Sequence, residues 1–296
     1  MSRREHLGRW SDTAAERRFR SIEDELWREA FPTRPALLDV DTSVGRTRAY
    51  HWPGTGTPVA FLHGMGATSL MWWECVTRMD GRPVYAIDTI GDVGRSEQRE
   101  AFRDAAHEAE WLDETLAAVA EATLHLVGAS YGGWLALNQA VRSPDRLASI
   151  CLVEPVGLAR FDMGRFLLWG LGVFAGSVMP GPIRRRAAVW TRMPALDDRR
   201  VMRMARLGYR KHPFRLPPPE PLTDDQLRAI TTPSLILLGE RSAVHRATLV
   251  AQRVDALMPS AQLELVADAG HALPVSHAEA IAERITTFLK RTENQS

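Results

Sequence analysis

The stretch LHLVGASYGGW, Leu124 to Trp134, runs from apolar residues straight into Gly128, Ser130 and Gly132 at alternate positions. A serine alcohol is a weak nucleophile until it is exposed, given a base within hydrogen-bond reach and supplied with donors for the oxyanion it creates. A sharp strand-to-helix turn would expose it. Glycines at 128 and 132 remove side chains that would collide there, and the following helix aims its first N–H groups and positive dipole end at developing negative charge. Ser130 is therefore the candidate nucleophile. Taken alone, Gly-x-Ser-x-Gly is short enough to arise by chance as a plain loop, so its meaning rests on partners elsewhere in the chain.

The first partner is FLHGMG, Phe61 to Gly66, where a strand end meets Gly-rich backbone. Its contribution would be the Met65 N–H, acting with the Tyr131 N–H as a two-donor oxyanion hole. His63 in the same stretch reads better as a loop hydrogen-bonding residue than as a catalyst. The base is expected after the serine, near the C-terminus. In LELVADAGHALP a strand turns at Gly270 and presents His271 at the C-terminal edge of a sheet. His277 opens a helix over 277–289 on its solvent side, and His125, inside the strand before the serine, reads as a core residue. Asp88 and Asp92 in IDTIGDVGRS invite a metal or dyad reading, but no cluster with ligand spacing surrounds them, so a structural role in the loop is expected. No Gly-x-Gly-x-x-Gly opens a helix after the first strand, which argues against nucleotide binding, and the chemistry requires neither cofactor nor metal.

These residues need a scaffold to hold them. The 296 residues, 45% of them apolar, suffice for one large domain or a domain with an insertion. Net charge is +1, which gives no sign of a nucleic-acid partner. The charged stretch MSRREHLGRWSDTAAERR lacks the apolar centre of a signal peptide, and a cytoplasmic protein without a transmembrane segment is expected. Cys75 and Cys151 lie in apolar contexts and read as core residues, not as a disulfide or metal site.

Phe19, Ile22, Leu26 and Ala30 recur at helical spacing after a capping Asp12, which predicts an amphipathic helix in a lead-in spanning residues 1–35. Strand-like and helical segments then alternate: a strand at 59–62, a helix at 104–121, a strand at 123–127, a helix at 131–142 and a strand at 147–153. This alternation predicts an α/β fold with a mostly parallel sheet and helices on both faces. The pattern breaks between 158 and 222 and resumes at TPSLILLGE. The organisation expected is a core of 36–157 and 223–296, interrupted by a helical cap over 158–222 that returns through the Pro-rich linker 213–221. Within 158–222 there are 13 Arg plus Lys against 4 Asp plus Glu, a net of +9, so the remainder carries −8.

HGMG, DTIGDVGRS, GASYGG, LLGE and DAGH together resemble the motifs of the α/β-hydrolase superfamily, in particular its bacterial carboxylesterase-like branch with a helical N-terminal lead. The likeness covers residues 36 to 290 apart from the cap. It implies the α/β-hydrolase fold and a serine hydrolase built on Ser130, His271, an acid and the two oxyanion N–H groups. The acid departs from the pattern. Many relatives carry Asp two residues after the Glu of the loop following the late strand, whereas LLGERSAVH puts Ser242 there. A serine cannot hold an imidazolium by charge. Glu154, at the strand end where certain haloalkane dehalogenases keep their acid, is preferred, with Glu240 and Asp268 as alternatives. The activity implied is hydrolysis of a carboxylic ester or related acyl compound through an acyl-enzyme, with a small hydrophobic acyl substrate. A thioesterase, a C–C bond hydrolase with the same triad, and a non-catalytic ligand-binding member of the fold are the rival readings. In the cap, the uncharged run Phe166 to Met179 is expected to cover the active site, and in a sharper alternative it lines an acyl pocket. Arg184, Arg185 and Arg186 beside it either form a solvated basic face or attract an anionic group or an anionic membrane surface.

Overall fold

The computed structural model describes residues 7–79, 81–160 and 162–295; the start of the lead-in, residues 1–6, lies outside them. Among the described residues one sheet runs in the order β1 (Ala36–Thr42), β2 (Gly45–Trp52), β4 (Val84–Ile87), β3 (Val59–Leu62), β6 (Leu124–Ala129), β7 (Leu147–Val153), β8 (Ser234–Gly239) and β9 (Gln262–Val266). A two-residue β5 (Glu97–Gln98) pairs with β2. From β4 through β9 every pairing is parallel, and β1, β2 and β4 pair antiparallel. Register brings Gly128 level with Leu62 on one side and Leu152 on the other. The C-terminal ends of β3, β6, β7 and β8 therefore meet along one edge, and the loops that leave them converge.

Side chains alternate across the sheet, as the pleat requires. Ala60, Leu62, Leu126, Ile150, Leu152 and Ile236 enter one core, with α3 (Ala105–Val119), α4 (Tyr131–Arg142), α8 (Asp224–Ala229) and α9 (Ala247–Leu257). Phe61, Val127, Cys151, Val153 and Leu237 enter the other, with α1 (Thr13–Ala30), α2 (Trp73–Val76), α10 (Leu273–Ser276) and α11 (Ala278–Glu293). Covering both faces explains why the central strands read as continuous apolar runs. Helix α3 is shorter at both ends than the expected 104–121, while the strand before Ser130 extends to Ala129. His277 caps α11, and its Nδ1 lies 2.8 Å from the Ser276 hydroxyl. His125 is fully buried, bonded to Ser149 at 2.8 Å and Glu293 at 3.2 Å.

Asp12 caps α1 as its sequence position predicts, accepting the N–H groups of Ala14 and Ala15. Trp27 of α1 stacks on Tyr50 at 4.5 Å, which ties the lead-in to β2. Between β7 and β8 the chain leaves the sheet and forms α5 (Met163–Val178), α6 (Gly181–Thr191) and α7 (Arg199–Lys211), gathered on Ala188, Leu196 and Met202. Arg253 of α9 holds both ends of this excursion, donating to the carbonyls of Leu158 at 2.5 Å and Leu222 at 2.8 Å. A bidentate pair between Arg200 of α7 and Glu29 of α1, at 2.5 and 2.9 Å, joins it to the lead-in.

The alternative in which the whole run Phe166 to Met179 lines a pocket does not fit α5. Trp169 and Gly176 turn inward, but Leu167, Leu168, Leu171 and Phe174 are 56–65% exposed. A helix has two faces and α5 packs with one of them, so an uninterrupted apolar run cannot be wholly internal.

Backbone crowding at the sheet edge makes a stability prediction. A Cβ on Gly132 would stand 2.4 Å from the Leu62 carbonyl oxygen, whereas one on Gly170 of α5 meets nothing within 4 Å. Gly132→Ala is expected to cost about 1–3 kcal/mol by overpacking, and Gly170→Ala to stabilise by about 0.5–1 kcal/mol through helix propensity. Denaturant unfolding of the two variants measures both.

Candidate active site

Each candidate group lies on a chain segment forced into an uncommon conformation. Ser130 follows β6 directly and caps α4 with φ 51° and ψ −111°, a region that side chains rarely occupy. The turn is feasible because its neighbours are glycines: a Cβ on Gly128 would stand 2.2 Å from the Gly132 carbonyl oxygen, and one on Gly64 3.3 Å from Ser130 Cβ. Hydrogen bonds to β7 fix the turn from beneath, with Ser130 N–H donating to Val153 O at 3.1 Å and Val156 N–H to Ser130 O at 3.2 Å.

His271 stands between the serine and a carboxylate. Its Nε2 is 3.1 Å from Ser130 Oγ and its Nδ1 3.0 Å from Glu154 Oε2. A carboxylate only accepts, so Nδ1 carries the proton and Nε2 is left to accept from the serine hydroxyl. Glu154 has φ 52°, no exposed surface and two further donors: Gly239 N–H at 2.6 Å on Oε1 and the Ser242 hydroxyl at 2.5 Å on Oε2. Burial opposes its ionisation, but the His271 hydrogen bond, the charges of His271 and His245 and the Ser242 bond outweigh it and hold the carboxyl below the usual range. Thus Ser242, where an acid was expected, donates to an acid that arrives from the neighbouring strand. His245 Nε2 lies 3.8 Å from Glu154 Oε1 on the opposite side from His271.

The other two carboxylates point elsewhere. Asp268 is 79% exposed at its side chain and pairs with Arg241 at 3.0 Å, while Glu240 accepts the Asp268 N–H at 3.4 Å. Neither is placed against His271. Asp268 belongs to the loop after β9 that carries His271, which Arg192 also grips by donating to the Asp268 carbonyl at 2.7 Å, and Glu240 reaches it from the loop after β8.

Opposite the serine, the loop holding Met65 is tied to the sheet by buried groups. His63 donates from Nδ1 to the Gly64 carbonyl at 2.9 Å and accepts the Thr89 N–H on Nε2 at 2.9 Å. Asp92 accepts the N–H groups of Gly66 at 2.9 Å and Val93 at 2.7 Å. Burial raises its carboxyl to about 6, opposed by the His63 charge and these two N–H bonds. Asp88 accepts from Ser69 and Arg95, and no metal-holding cluster occurs among the described residues. The N–H of Tyr131, at the first position of α4, has no carbonyl within the helix to bond.

Trp169 belongs to the apolar run expected over the site, whereas Phe214 and Glu108 escaped the sequence reading. Trp169 of α5 presents its ring edge-on to His271 at 6.0 Å, and the Phe214 ring comes within 3.5 Å of where a Gly66 Cβ would be. Glu108, fully buried on α3, lies 2.5 Å from the Tyr131 hydroxyl, which is also 2.9 Å from the Pro217 carbonyl. That hydroxyl has one proton, so serving both contacts requires a protonated Glu108 that donates to the tyrosine. Burial pushes the carboxyl up to about 8 against the Tyr131 bond, in keeping with this arrangement. Glu108 was recognisable in principle: it shares the helical stripe of Trp111, Leu112 and Thr115, where a charged residue is out of place.

A carboxyl raised from 4.5 to about 8 binds its proton more tightly in the folded chain than in the unfolded one. Its contribution to stability is therefore full at acid pH, is lost as pH rises through that window and is level above it. Glu108→Gln keeps a neutral donor and removes the titration. Its melting temperature is expected to fall less than that of the wild type between about pH 5 and about pH 8; equal falls would remove the case for a neutral Glu108.

Residues 59–284 match the model of the Alpha/beta hydrolase family. The chain is 26% identical over 282 residues to carboxylesterase YbfK of Bacillus subtilis (strain 168), covering 89% of this chain and 90% of that one. Its fold is similar to that of naproxen esterase (carboxylesterase NP) from Bacillus subtilis, with a TM-score of 0.80 at 23% identity over 92% of this chain and 97% of the other. The crystal structure of carboxylesterase CesB (YbfK) from Bacillus subtilis gives a TM-score of 0.76 at 23% identity, covering 93% and 98%. From the family match together with the parallel sheet, the protein belongs to the alpha/beta hydrolase family.

Proposed function

We propose that the protein is a serine hydrolase that cleaves carboxylic esters through an acyl-enzyme intermediate. The observation that carries the reading is the unbroken series of Ser130 Oγ, His271 and Glu154 at 3.1 and 3.0 Å. Ser130 attacks the ester carbonyl as its proton passes to His271 Nε2, and the N–H groups of Tyr131 and Met65 receive the oxyanion. His271 then protonates the departing alcohol. Water, deprotonated by the same imidazole, releases the acid. Glu154 holds the Nδ1 tautomer and balances the imidazolium through both steps.

Residues 158–222 act as the cap of this site. Trp169 and Phe214 supply apolar walls beside His271 and the oxyanion loop, which favours a small hydrophobic acyl group. Carboxylesterase relatives support an ester over other acyl compounds. We place the protein in the cytoplasm, in keeping with two free, buried thiols at Cys75 and Cys151. No helix among the described residues is long and apolar enough to cross a membrane.

A fluorophosphonate probe is expected to label Ser130, located by peptide mapping, and failure to label folded protein would favour a ligand-binding member of the fold. A panel of p-nitrophenyl esters and acyl thioesters separates esterase from thioesterase. If serine and base act as one unit, Ser130→Ala, His271→Ala and the double variant lose similar activity. Glu154→Gln is expected to lower kcat by on the order of 10⁴, as loss of the triad carboxylate does in serine proteases. Glu240→Gln and Asp268→Asn should stay near wild type; the reverse ranking would move the acid to another residue.

A further inference from the structure

A cavity of ≈ 330 Å³ opens where α5 ends, lined by Arg184, Arg199 and Arg206 together with Val178, Met179 and Met202. It is separate from the Ser130 site: Val178 lies nine residues along α5 from Trp169, about 13 Å at the helical rise. The charge around it is not balanced. Arg184 is only 9% exposed, its buried Nε has no hydrogen-bond partner, and its NH2 is 3.6 Å from Asp197 Oδ1. Arg206 donates to the Ser177 carbonyl at 2.7 Å, a neutral acceptor. Three guanidinium groups line the cavity, and the lining itself contains no carboxylate; Asp197, 3.6 Å from Arg184, lies outside it. A buried guanidinium with an unused donor at the wall of an open cavity is a binding element in want of an oxyanion.

The apolar side says what the oxyanion is attached to. Val178 lines the cavity and also ends a stripe on the outer face of α5 made of Leu167, Leu171 and Phe174, each 56–65% exposed. These positions follow helical spacing, so the stripe is continuous and runs out from the cavity mouth. Nothing charged interrupts the chain between Arg165 and Arg184. We propose that this cavity binds a phosphate monoester bearing an alkyl or acyl chain, its phosphate held by Arg184, Arg199 and Arg206 and its chain laid along α5. A phosphate monoester carries close to two negative charges near neutral pH, which suits a lining of three guanidinium groups, and its several oxygens suit forked donors.

The test is titration of the full-length protein with decyl phosphate below its micellar concentration, with inorganic phosphate, and with phosphatidylcholine vesicles containing or lacking phosphatidic acid. Saturable binding of decyl phosphate, displaced by inorganic phosphate, is expected. Arg199→Gln should weaken it about tenfold or more, the effect of one lost charge-assisted hydrogen bond, with hydrolysis of a short p-nitrophenyl ester unchanged. Arg184→Gln should weaken it at least as much; should that buried substitution impair folding, the exposed Arg199→Gln still decides. Leu171→Ser with Phe174→Ser should weaken decyl phosphate and leave inorganic phosphate unaffected. Selective binding to phosphatidic acid vesicles assigns the site to a membrane lipid, and binding of monomeric decyl phosphate alone assigns it to a soluble amphiphile. No saturable binding, or binding unchanged by Arg199→Gln, overturns the proposal.

Discussion

A carboxylate with no exposed surface must recover from the protein the interactions it loses with water, and Glu154 is such a group. Its two oxygens are met by one backbone N–H, one hydroxyl and one imidazole, from Gly239, Ser242 and His271. Those donors come from the end of β8, the loop after it and the loop after β9. One buried charge thus fixes how three loops are set against each other. Removing a partner from such a charge costs about 3–5 kcal/mol, well beyond an ordinary surface contact, so the loops share a single arrangement. The same need explains the backbone at Glu154: φ 52° bends the chain out of β7 and turns the side chain along the sheet edge toward His271.

The serine turn obeys a different constraint, that of space. Gly128 and Gly132 mark places where backbone meets backbone at distances no Cβ tolerates, and a Cβ on Gly64 would crowd Ser130 at 3.3 Å. Short parallel strands ending level with one another make that closeness unavoidable, since the register sets Leu62, Gly128 and Leu152 side by side. Charge balance on one side of the edge and steric exclusion on the other leave His271 between a hydroxyl and a carboxylate. Neither demand alone would place it there.

Much of this could be read from sequence because it is local. Strand periodicity, the turn around Ser130, the Asp12 cap and the loop position of His271 each follow from residues within one short window. The acid is a different kind of problem. Glu154 could be preferred only for its strand-end position and by resemblance, because what separates it from Glu240 and Asp268 is burial and direction, and both depend on strands distant in sequence. Ser242 was legible as a missing acid and illegible as a donor, for the same reason. In α5 the failure was one of face: composition reports how apolar a helix is, not which side of it finds a neighbour, so Leu171 and Phe174 were taken inward with Trp169. Glu108 and Phe214 enter the site from segments remote from its motifs, and only packing brings them there.

The tyrosine after the serine joins two parts of the chain that have no peptide in common. Tyr131 begins α4, yet its hydroxyl holds Pro217 in the linker returning from α7, and Trp134, one turn further along, holds the Glu220 carbonyl at 2.9 Å. The linker is thus moored to the helix that follows Ser130. Since the Tyr131 hydroxyl has a single proton, an ionised Glu108 competes with Pro217 for it. Linker anchorage and proton occupancy are therefore reciprocal: whatever loosens the mooring makes the acid easier to ionise, and ionising the acid loosens the mooring by the same free energy.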